Sequence, residues 1–376
     1  MKPFKPVKTA IIGCGMISGI YLENCVKRFK VLDVVGCSDI IPERSKAKAE
    51  AYGIRQMTNE EIWNDPEIEL VINITNHTSH YEVSKQSLLA GKHVYGEKMM
   101  AVELHEGAEL VSLAKERGLY LGGAPDTYLG AGLQTARQIY DSGILGKAVA
   151  ANISLVRGYH HERWKAEAER RFAFCPGGGI IFDMGCYYLM ALINLLGPVK
   201  RVCGFSQTRD ADSRVFANPD NPAYGEVMKI ETCNNLAGTL EFKCGVLCNI
   251  LTTAESAADN NFMLYCTDGQ MNLGDPNEYN HAPVIRTKSG DAVKIPFTHA
   301  YTENSRGLGP ADLAYAIRNE RAPRCSSERI YHMFEIAHGI ISRDVTGQIY
   351  RMQSTCTRPE PLAVGYTEYP EMVLDL

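Results

Sequence analysis

A short apolar stretch near the start of the chain, residues 9–12, ends in Gly13-Cys14-Gly15 and is followed by a helical pattern. A strand that turns directly into a helix through glycines needs backbone conformations and close approaches that a side chain would block. Gly13 allows the tight turn, and Gly15 lets a pyrophosphate reach the amides at the helix N-terminus, where the helix dipole favours negative charge. This stretch therefore predicts a strand, turn and helix of the dinucleotide-binding type.

An acidic residue stands where such a fold binds the ribose of the dinucleotide. A second predicted strand, residues 31–38, ends at Asp39, which is 24 positions after Gly15 and close to the roughly 20-residue spacing of the fingerprint. Its carboxylate would accept hydrogen bonds from the ribose hydroxyls and repel a 2′-phosphate, so the sequence favours NAD over NADP. Two features weaken the match: Ser18 replaces the third glycine, and the basic Arg44 lies one helical turn beyond Asp39.

Size and composition exclude several classes of protein. A chain of 376 residues exceeds the usual limit of a single core, which predicts two domains. The net charge of -5, without a Lys/Arg-rich run, argues against a nucleic-acid partner. No apolar stretch reaches membrane-spanning length, and the N-terminus lacks the apolar region of a signal peptide, so we expect a cytoplasmic protein. The 12 cysteines, without a CxxC pattern, fit buried thiols in a reducing compartment.

The order of predicted elements divides the chain at about residue 128. In residues 1–128, short strands alternate with amphipathic helices, which predicts an α/β fold with a doubly wound parallel sheet of the Rossmann type. In residues 129–376, turn-separated strands predict an α+β domain with a mainly antiparallel sheet. The predicted strands are residues 9–12, 32–38, 70–74, 93–95 and 120–122 in the first part, and 149–156, 199–205, 230–232, 238–242, 246–253 and 261–266 in the second. The helices of the second part are predicted at residues 183–196, 310–319 and 329–344.

A lysine follows the fourth predicted strand in Gly96-Glu97-Lys98. If Gly15 holds the pyrophosphate, this strand end lies where the nicotinamide would bind. An ammonium at that position would hydrogen-bond the substrate oxygen and stabilise the alkoxide character that develops as a hydride leaves. The alternative is an ordinary surface lysine.

A second group of polar residues follows three consecutive glycines, residues 177–179, at the start of a helix. Asp183 and Tyr187 are four positions apart, so on a helix their side chains lie on one face, about 6 Å apart at Cβ. The alternatives are that Asp183 caps the helix and that Tyr187 belongs to the core. A tyrosine with a pKa of about 10 is a poor base at neutral pH, but a neighbouring ammonium lowers that pKa, and we expect Lys98 to be that neighbour.

Several motifs in this order resemble one family of enzymes: GCGMISG, the strand that ends at Asp39, NITNHTSH, GEK and GGGIIFDMGCYY. The chain resembles the NAD(P)-dependent glucose-fructose oxidoreductase, inositol dehydrogenase and rhizopine catabolism (Gfo/Idh/MocA) family, over nearly its whole length. The resemblance implies a Rossmann domain and a C-terminal domain with a large open antiparallel sheet. In the family this sheet covers the substrate and often mediates oligomerisation, so the resemblance also implies a homo-oligomer.

The resemblance implies roles for individual residues. Lys98 corresponds to the family's lysine and Asp183 to its helical aspartate, whereas Tyr187 replaces the histidine that usually follows four positions later. Met99 replaces the proline after the lysine, so we expect either a trans peptide bond or a strained cis bond at that position. His80 is expected to cap or orient its helix as part of the cofactor site. The full set of cofactor-binding residues comprises Gly13, Gly15, Met16, Ile17, Ser18, Asp39, Thr75, Asn76, His80, Glu97 and Lys98.

The segment at residues 157–164 is rich in aromatic and hydrogen-bonding groups, as are many sugar sites, although a polar surface loop has a similar composition. Adjacent histidines point apart on a strand, so His160 and His161 do not predict a metal site. The predicted substrate contacts are Tyr128, Arg157, His160, Trp164, Asp183 and Tyr187.

The sequence thus predicts an NAD-dependent oxidoreductase that acts on a secondary alcohol of a sugar, cyclitol or glycoside, at ring position C3. Lys98, Tyr187 and Asp183 are the predicted catalytic residues. One alternative is NAD-dependent glycoside cleavage through a 3-keto intermediate. Another is a non-catalytic protein that senses NAD.

Overall fold

The N-terminal part of the chain forms a parallel sheet with helices on its faces. The computed structural model describes residues 5–158, 162, 172–288, 290–342 and 347–364. Within these residues the sheet has six strands in the order β3-β2-β1-β4-β5-β6, which is the order of a Rossmann fold. The strands are β1 Val7–Ile12, β2 Leu32–Ser38, β3 Arg55–Gln56, β4 Leu70–Asn73, β5 His93–Gly96 and β6 Leu121–Gly123.

The helices of this part begin and end where the sequence provides caps. Helix α2 ends at Gly53, which adopts the left-handed conformation common after helices. Helix α3 begins after Thr58, whose hydroxyl accepts the amide of Glu61 while the Glu61 carboxylate accepts the amide of Thr58. The helices are α1 Ser18–Leu22, which continues as a π-helical segment Glu23–Arg28, then α2 Pro42–Tyr52, α3 Asn59–Asn64, α4 His80–Leu89 and α5 Leu104–Glu116.

The C-terminal part contains a second, larger sheet, with nine strands among the described residues in the order β14-β13-β12-β11-β7-β10-β9-β8-β15. All neighbouring strands pair antiparallel except β7 and β10, which are parallel. Buried and exposed residues alternate along β10, as expected where one face covers the core. The strands are β7 Ala148–Val156, β8 Val199–Gln207, β9 Asn235–Phe242, β10 Leu247–Thr253, β11 Asp259–Cys266, β12 Gly269–Asn272, β13 Val284–Thr287, β14 Val293–Lys294 and β15 Ile349–Arg351.

The strand predicted at residues 230–232 is wrong. This segment lies in the long connection between β8 and β9, where the amide of Glu231 donates to the carbonyl of Phe174 at 2.7 Å. It therefore packs on the connection that leads to the predicted Asp183 helix instead of joining the sheet.

The described residues of the C-terminal part also form helices, two of which pack against the sheets. The helices are α6 Ala131–Asp141, α7 Cys186–Leu196, α8 Leu308–Asn319 and α9 Ser327–Ile341, and a π-helical segment, Ile181–Gly185, leads into α7. Helix α8 packs back on β2, β5 and β6 of the parallel sheet, and α9 packs against α5, α7 and β8. The last third of the chain thus contacts both sheets. No helix among the described residues is both long enough and apolar enough to cross a membrane.

Candidate active site

The two glycines of the first turn have different surroundings. Gly13 has φ of 107°, and a Cβ built on it would lie 2.5 Å from the carbonyl oxygen of Ile74. A side chain at this position would therefore clash with the end of β4. A Cβ on Gly15 would meet no atom within 4 Å. The turn thus leaves open space in front of its second glycine, which fits the pyrophosphate of a dinucleotide.

Asp39 lies beside this turn at the end of β2. Its Oδ2 accepts the backbone N–H of Cys14 at 2.6 Å, and its Oδ1 accepts that of Ile41 at 2.8 Å. These two bonds fix the half-buried carboxylate beside the turn.

Met16, Ile17 and Ser18, the other residues predicted for this turn, differ in how exposed their side chains are. Ser18 is buried and its hydroxyl donates to the carbonyl of Gly15 at 2.6 Å, so it closes the turn from within. Ile17 is half-buried and Met16 is 61% exposed. Only the side chains of these last two reach the surface where a cofactor would bind.

The loop after β4 carries the next predicted residues. The hydroxyl of Thr75 donates to Asn73 Oδ1 at 2.7 Å, and Asn76 Oδ1 accepts the amide of Thr78 at 3.2 Å. His80 is buried, with Nδ1 2.7 Å from the carbonyl oxygen of Met99 and Nε2 3.0 Å from that of Thr75. The His80 ring thus joins the loop after β4 to the loop that carries Met99.

Lys98 and Asp183 come from different parts of the chain and form the centre of the site. Lys98 follows β5, and its Nζ donates to Asp183 Oδ1 at 2.7 Å and to the Asp183 carbonyl at 3.0 Å. The two side chains are only 13% and 8% exposed. The pair therefore joins the end of the parallel sheet to the π-helical segment before α7.

Glu97 and Met99 flank the lysine. Glu97 accepts the hydroxyl of Tyr21 at 2.7 Å and the amide of Lys98 at 3.0 Å, so it holds the strand end against α1. The Lys98–Met99 peptide bond is cis. Of the two outcomes expected at this bond, the trans form is wrong.

The pKa of the Tyr187 phenol is raised, whereas the sequence predicts that Lys98 lowers it. Lys98 Nζ lies 5.6 Å from the centre of the Tyr187 ring and lowers the phenol pKa, but burial raises it more, to about 12. Burial alone would lower the pKa of the Lys98 ammonium, but Asp183 and Tyr187 together hold it above its usual value. Both groups are therefore protonated at neutral pH.

Arg306 is a member of the site that motif analysis missed. Its Nη2 donates to Asn277 Oδ1 at 2.6 Å and lies 3.4 Å from the Tyr187 hydroxyl, and its Nη1 donates to Asn304 Oδ1 at 2.9 Å. The residue lies 119 positions after Tyr187, so no local spacing could have connected the two.

Phe172 and His77 form a second group that the motifs did not indicate. Lys98 Nζ lies 5.4 Å from the centre of the Phe172 ring, whose edge contacts the ring of His77 at a centroid distance of 4.8 Å. His77 Nε2 lies 3.2 Å from the carbonyl oxygen of Pro176. These contacts seat the glycine-rich loop before Asp183 on the N-terminal part.

The predicted substrate contacts have separate outcomes. Tyr128 is wrong as a substrate contact, because its ring is buried and its hydroxyl donates to the carbonyl of Arg324 at 2.7 Å. Arg157 is half-buried just after β7, where its amide donates to the carbonyl of Thr253 at 2.9 Å. His160 and Trp164 lie outside the described residues. Among the residues that are described, no three His, Cys, Asp or Glu side chains are arranged to hold a metal ion.

Comparison with known families matches both parts of the chain. Residues 7–123 match an oxidoreductase family with an NAD-binding Rossmann fold, and residues 133–272 match the GFO/IDH/MocA C-terminal domain. The chain belongs to the Gfo/Idh/MocA family. Its N-terminal part is an NAD-binding Rossmann domain, and the predicted fold class is confirmed.

Individual relatives are distant. A D-xylose dehydrogenase from Paenarthrobacter nicotinovorans is 27% identical over 213 residues, which are 51% of this chain and 53% of the relative. The chain spans about half the length of most curated relatives it matches. The match to 1,5-anhydro-D-fructose reductase from Ensifer adhaerens is longer, at 25% identity over 86% of this chain and 92% of the relative. Levoglucosan dehydrogenase, in complex with NADH and L-sorbose, shares the fold with a TM-score of 0.77 at 15% identity, over 93% of this chain and all of that one.

Proposed function

We propose that this protein is an NAD-dependent oxidoreductase that transfers a hydride between a secondary alcohol of a sugar, cyclitol or glycoside, at ring C3, and nicotinamide. The observation that carries the proposal is the pair of Lys98 and Asp183, closed to 2.7 Å beside Tyr187 at the carboxyl end of β5. In a doubly wound sheet, ligands bind at this end of the strands.

The residues around the first turn fit NAD. Open space lies in front of Gly15, and the Asp39 carboxylate is fixed beside it. Asp39 would bind the ribose hydroxyls, and the loop of Thr75 and Asn76 would border the nicotinamide half. When bound, NAD supplies the hydride acceptor, and the protein supplies position and charge.

Lys98, Asp183 and Tyr187 have different roles at the substrate. The Lys98 ammonium would donate a hydrogen bond to the reacting oxygen of the substrate and stabilise it as negative charge develops. Asp183 holds Lys98 in place through Oδ1, and its carboxylate would also accept a bond from a second hydroxyl of the substrate. The Tyr187 phenol is the proton carrier at the same oxygen. Because both Lys98 and Tyr187 are protonated in the free protein, either can return a proton in the reverse direction, carbonyl reduction.

The names of the relatives support the class of substrate. They include a D-xylose dehydrogenase, an inositol 2-dehydrogenase and a 1,5-anhydro-D-fructose reductase. All three names refer to a sugar, an anhydro sugar or a cyclitol. We transfer this shared chemistry to the present chain, and we take ring position C3 from the sequence hypothesis.

A screen for NADH formation at 340 nm against monosaccharides, inositols and glycosides tests the proposal. We expect turnover with at least one of them, and a fall in kcat/KM of about 10³-fold in Lys98→Ala. Accumulation of a keto sugar would support the proposal. Release of an aglycone without net NADH would favour glycoside cleavage, and tight NAD binding with no turnover on the whole panel would favour a sensor of NAD.

A further inference from the structure

The crevice contains a second cation besides Lys98. The Arg306 guanidinium is half-buried, and its acceptors are neutral: the amide oxygens of Asn277 and Asn304, and the Tyr187 hydroxyl at the longer distance of 3.4 Å. Among the described residues, no carboxylate lies within ion-pair distance of the guanidinium, and the carboxylates of Glu97 and Asp126 act on it only from farther away. A guanidinium withdrawn from water is costly unless an anion compensates it.

Arg324 and Arg318 have carboxylate partners, whereas the buried Arg329 donates to backbone carbonyls and hydroxyls. Arg324 Nη1 lies 2.7 Å from Asp312 Oδ1, and Arg318 Nη2 lies 2.7 Å from Glu69 Oε1. The carboxylates beside Lys98 are already engaged. Asp183 is paired with Lys98, and Glu97 accepts the Tyr21 hydroxyl and the Lys98 amide. Among the residues that the structure describes, the Arg306 guanidinium thus has no carboxylate in direct contact.

The backbone around Arg306 is held from both parts of the molecule. Asn24 Nδ2 donates to the carbonyl of Arg306 at 2.8 Å, and the Asp126 carboxylate accepts the amides of Gly307 at 3.3 Å and Gly309 at 2.9 Å. Asp126 is itself buried and also accepts the Tyr279 hydroxyl at 2.8 Å. The cation is therefore preorganised beside the reacting groups.

We infer that the substrate is an anionic sugar, whose carboxylate or phosphate group pairs with Arg306 while its ring hydroxyl faces Lys98. The inference rests on the proposed function, because it assigns the second contact of the same substrate. A planar guanidinium can bind two oxygens of either group in parallel. The fixed position of Arg306 makes it a selector for charge, and the reaction itself still takes place at the hydroxyl.

The test compares matched substrates. For one monosaccharide that the enzyme oxidises, kcat/KM is measured for the neutral sugar, its uronic acid and its phosphate ester. We expect the wild-type enzyme to prefer one anionic form by at least about tenfold, and the form it prefers identifies the group. Arg306→Gln should lower the ratio of anionic to neutral kcat/KM about 100-fold, and Arg306→Lys should lower it less, because any effect through the Tyr187 phenol acts on both substrates and cancels in the ratio.

Two controls make the outcome specific. Arg55→Gln removes one positive charge from an exposed pair with Asp65 and should leave the ratio of anionic to neutral turnover unchanged. The wild-type ratio itself requires no variant, so the inference stays testable if Arg306→Gln does not fold.

The inference is overturned if the wild-type enzyme prefers the neutral sugar, or if Arg306→Gln leaves the ratio of anionic to neutral kcat/KM unchanged. Neither result would contradict the proposed oxidoreductase function. A ratio that stays constant while the Kd for NAD rises would assign Arg306 to the cofactor instead. Failure of every sugar, charged or neutral, would reject the proposed function itself.

Discussion

Tyr187 occupies the position where the family resemblance expects a histidine, and this single residue changes the acid-base properties of the crevice. An imidazole titrates near neutral pH, whereas burial raises the pKa of the Tyr187 phenol to about 12 even with Lys98 and Arg306 nearby to lower it. In the free protein at neutral pH, Lys98 and Tyr187 are therefore proton donors. Tyr187 can act as a base only after its phenol has lost its proton.

The pH dependence of the reaction follows from this raised pKa. Below about pH 12 the phenol is mostly protonated, so the fraction able to accept a proton increases about tenfold per pH unit. We expect kcat/KM for alcohol oxidation to rise through pH 6–9 without a plateau, and kcat/KM for carbonyl reduction to stay flat. Steady-state rates in both directions over this range provide the measurement.

The variant Tyr187→Phe separates the phenol from the lysine. It keeps the ring that packs over Lys98 and removes only the hydroxyl. We expect kcat/KM to fall about 100-fold and the pH slope of the oxidation to weaken. A wild-type plateau above pH 8 that disappears in Tyr187→Phe would mean that the phenol titrates far lower than the structure indicates. An unchanged rate would remove Tyr187 from the catalytic residues.

At the scale of elements, the two glycines in the turn between β1 and α1 are required for different reasons. At Gly13 the requirement is structural, because the backbone has φ of 107° and a Cβ would reach the Ile74 carbonyl. At Gly15 the space is open, so the requirement concerns the ligand.

Two alanine variants test this separation. We expect Gly13→Ala to lower the free energy of unfolding by about 2 kcal/mol or more, because the substitution combines strain with a clash. Gly15→Ala should stay within about 0.5 kcal/mol of the wild type and should raise the Kd for NAD at least about tenfold, because its methyl group enters the open space. Denaturant unfolding and titration with NAD measure the two effects. Equal loss of stability in both variants would contradict the assignment.

At the scale of the whole molecule, the nine-stranded sheet presents an apolar row on one face. Strand pairing places Leu251 of β10 opposite Ala237 of β9, and Ala237 opposite Phe205 of β8. Leu251 is 38% exposed and Phe205 is 66% exposed. We propose that the chain forms homo-oligomers through this face, because burying such a row removes apolar surface from water.

The mass in solution tests this proposal. We expect sedimentation to give a multiple of the 41.6 kDa chain mass, and the double variant Phe205→Glu, Leu251→Glu to give the single-chain mass. Ile40→Glu is the control, because Ile40 is 97% exposed on the N-terminal part. A wild-type protein that sediments as one chain at micromolar concentration would reject the interface.

Much of this architecture was predictable because its signals are local. Alternating strands and helices predicted the parallel sheet, and the positions after β2 and β5 predicted Asp39 and Lys98 at one edge. The segment 230–232, Ile-Glu-Thr, misled because so short a strand-like segment can pair its backbone with a neighbouring loop instead of a sheet. Tyr128 misled for a similar reason, since its position at the junction of the two parts says nothing about which way the ring points.

The sequence by itself determined the Rossmann turn, through residue type and short spacing, and the family, through the order of its motifs. The family resemblance in turn predicted Lys98, Asp183 and Tyr187 as one group. Only the tertiary structure decided that burial outweighs the effect of Lys98 on the Tyr187 phenol. It also decided that Arg306 joins the group. Desolvation and long-range packing depend on which distant segments cover a side chain, and no local pattern in the chain encodes that.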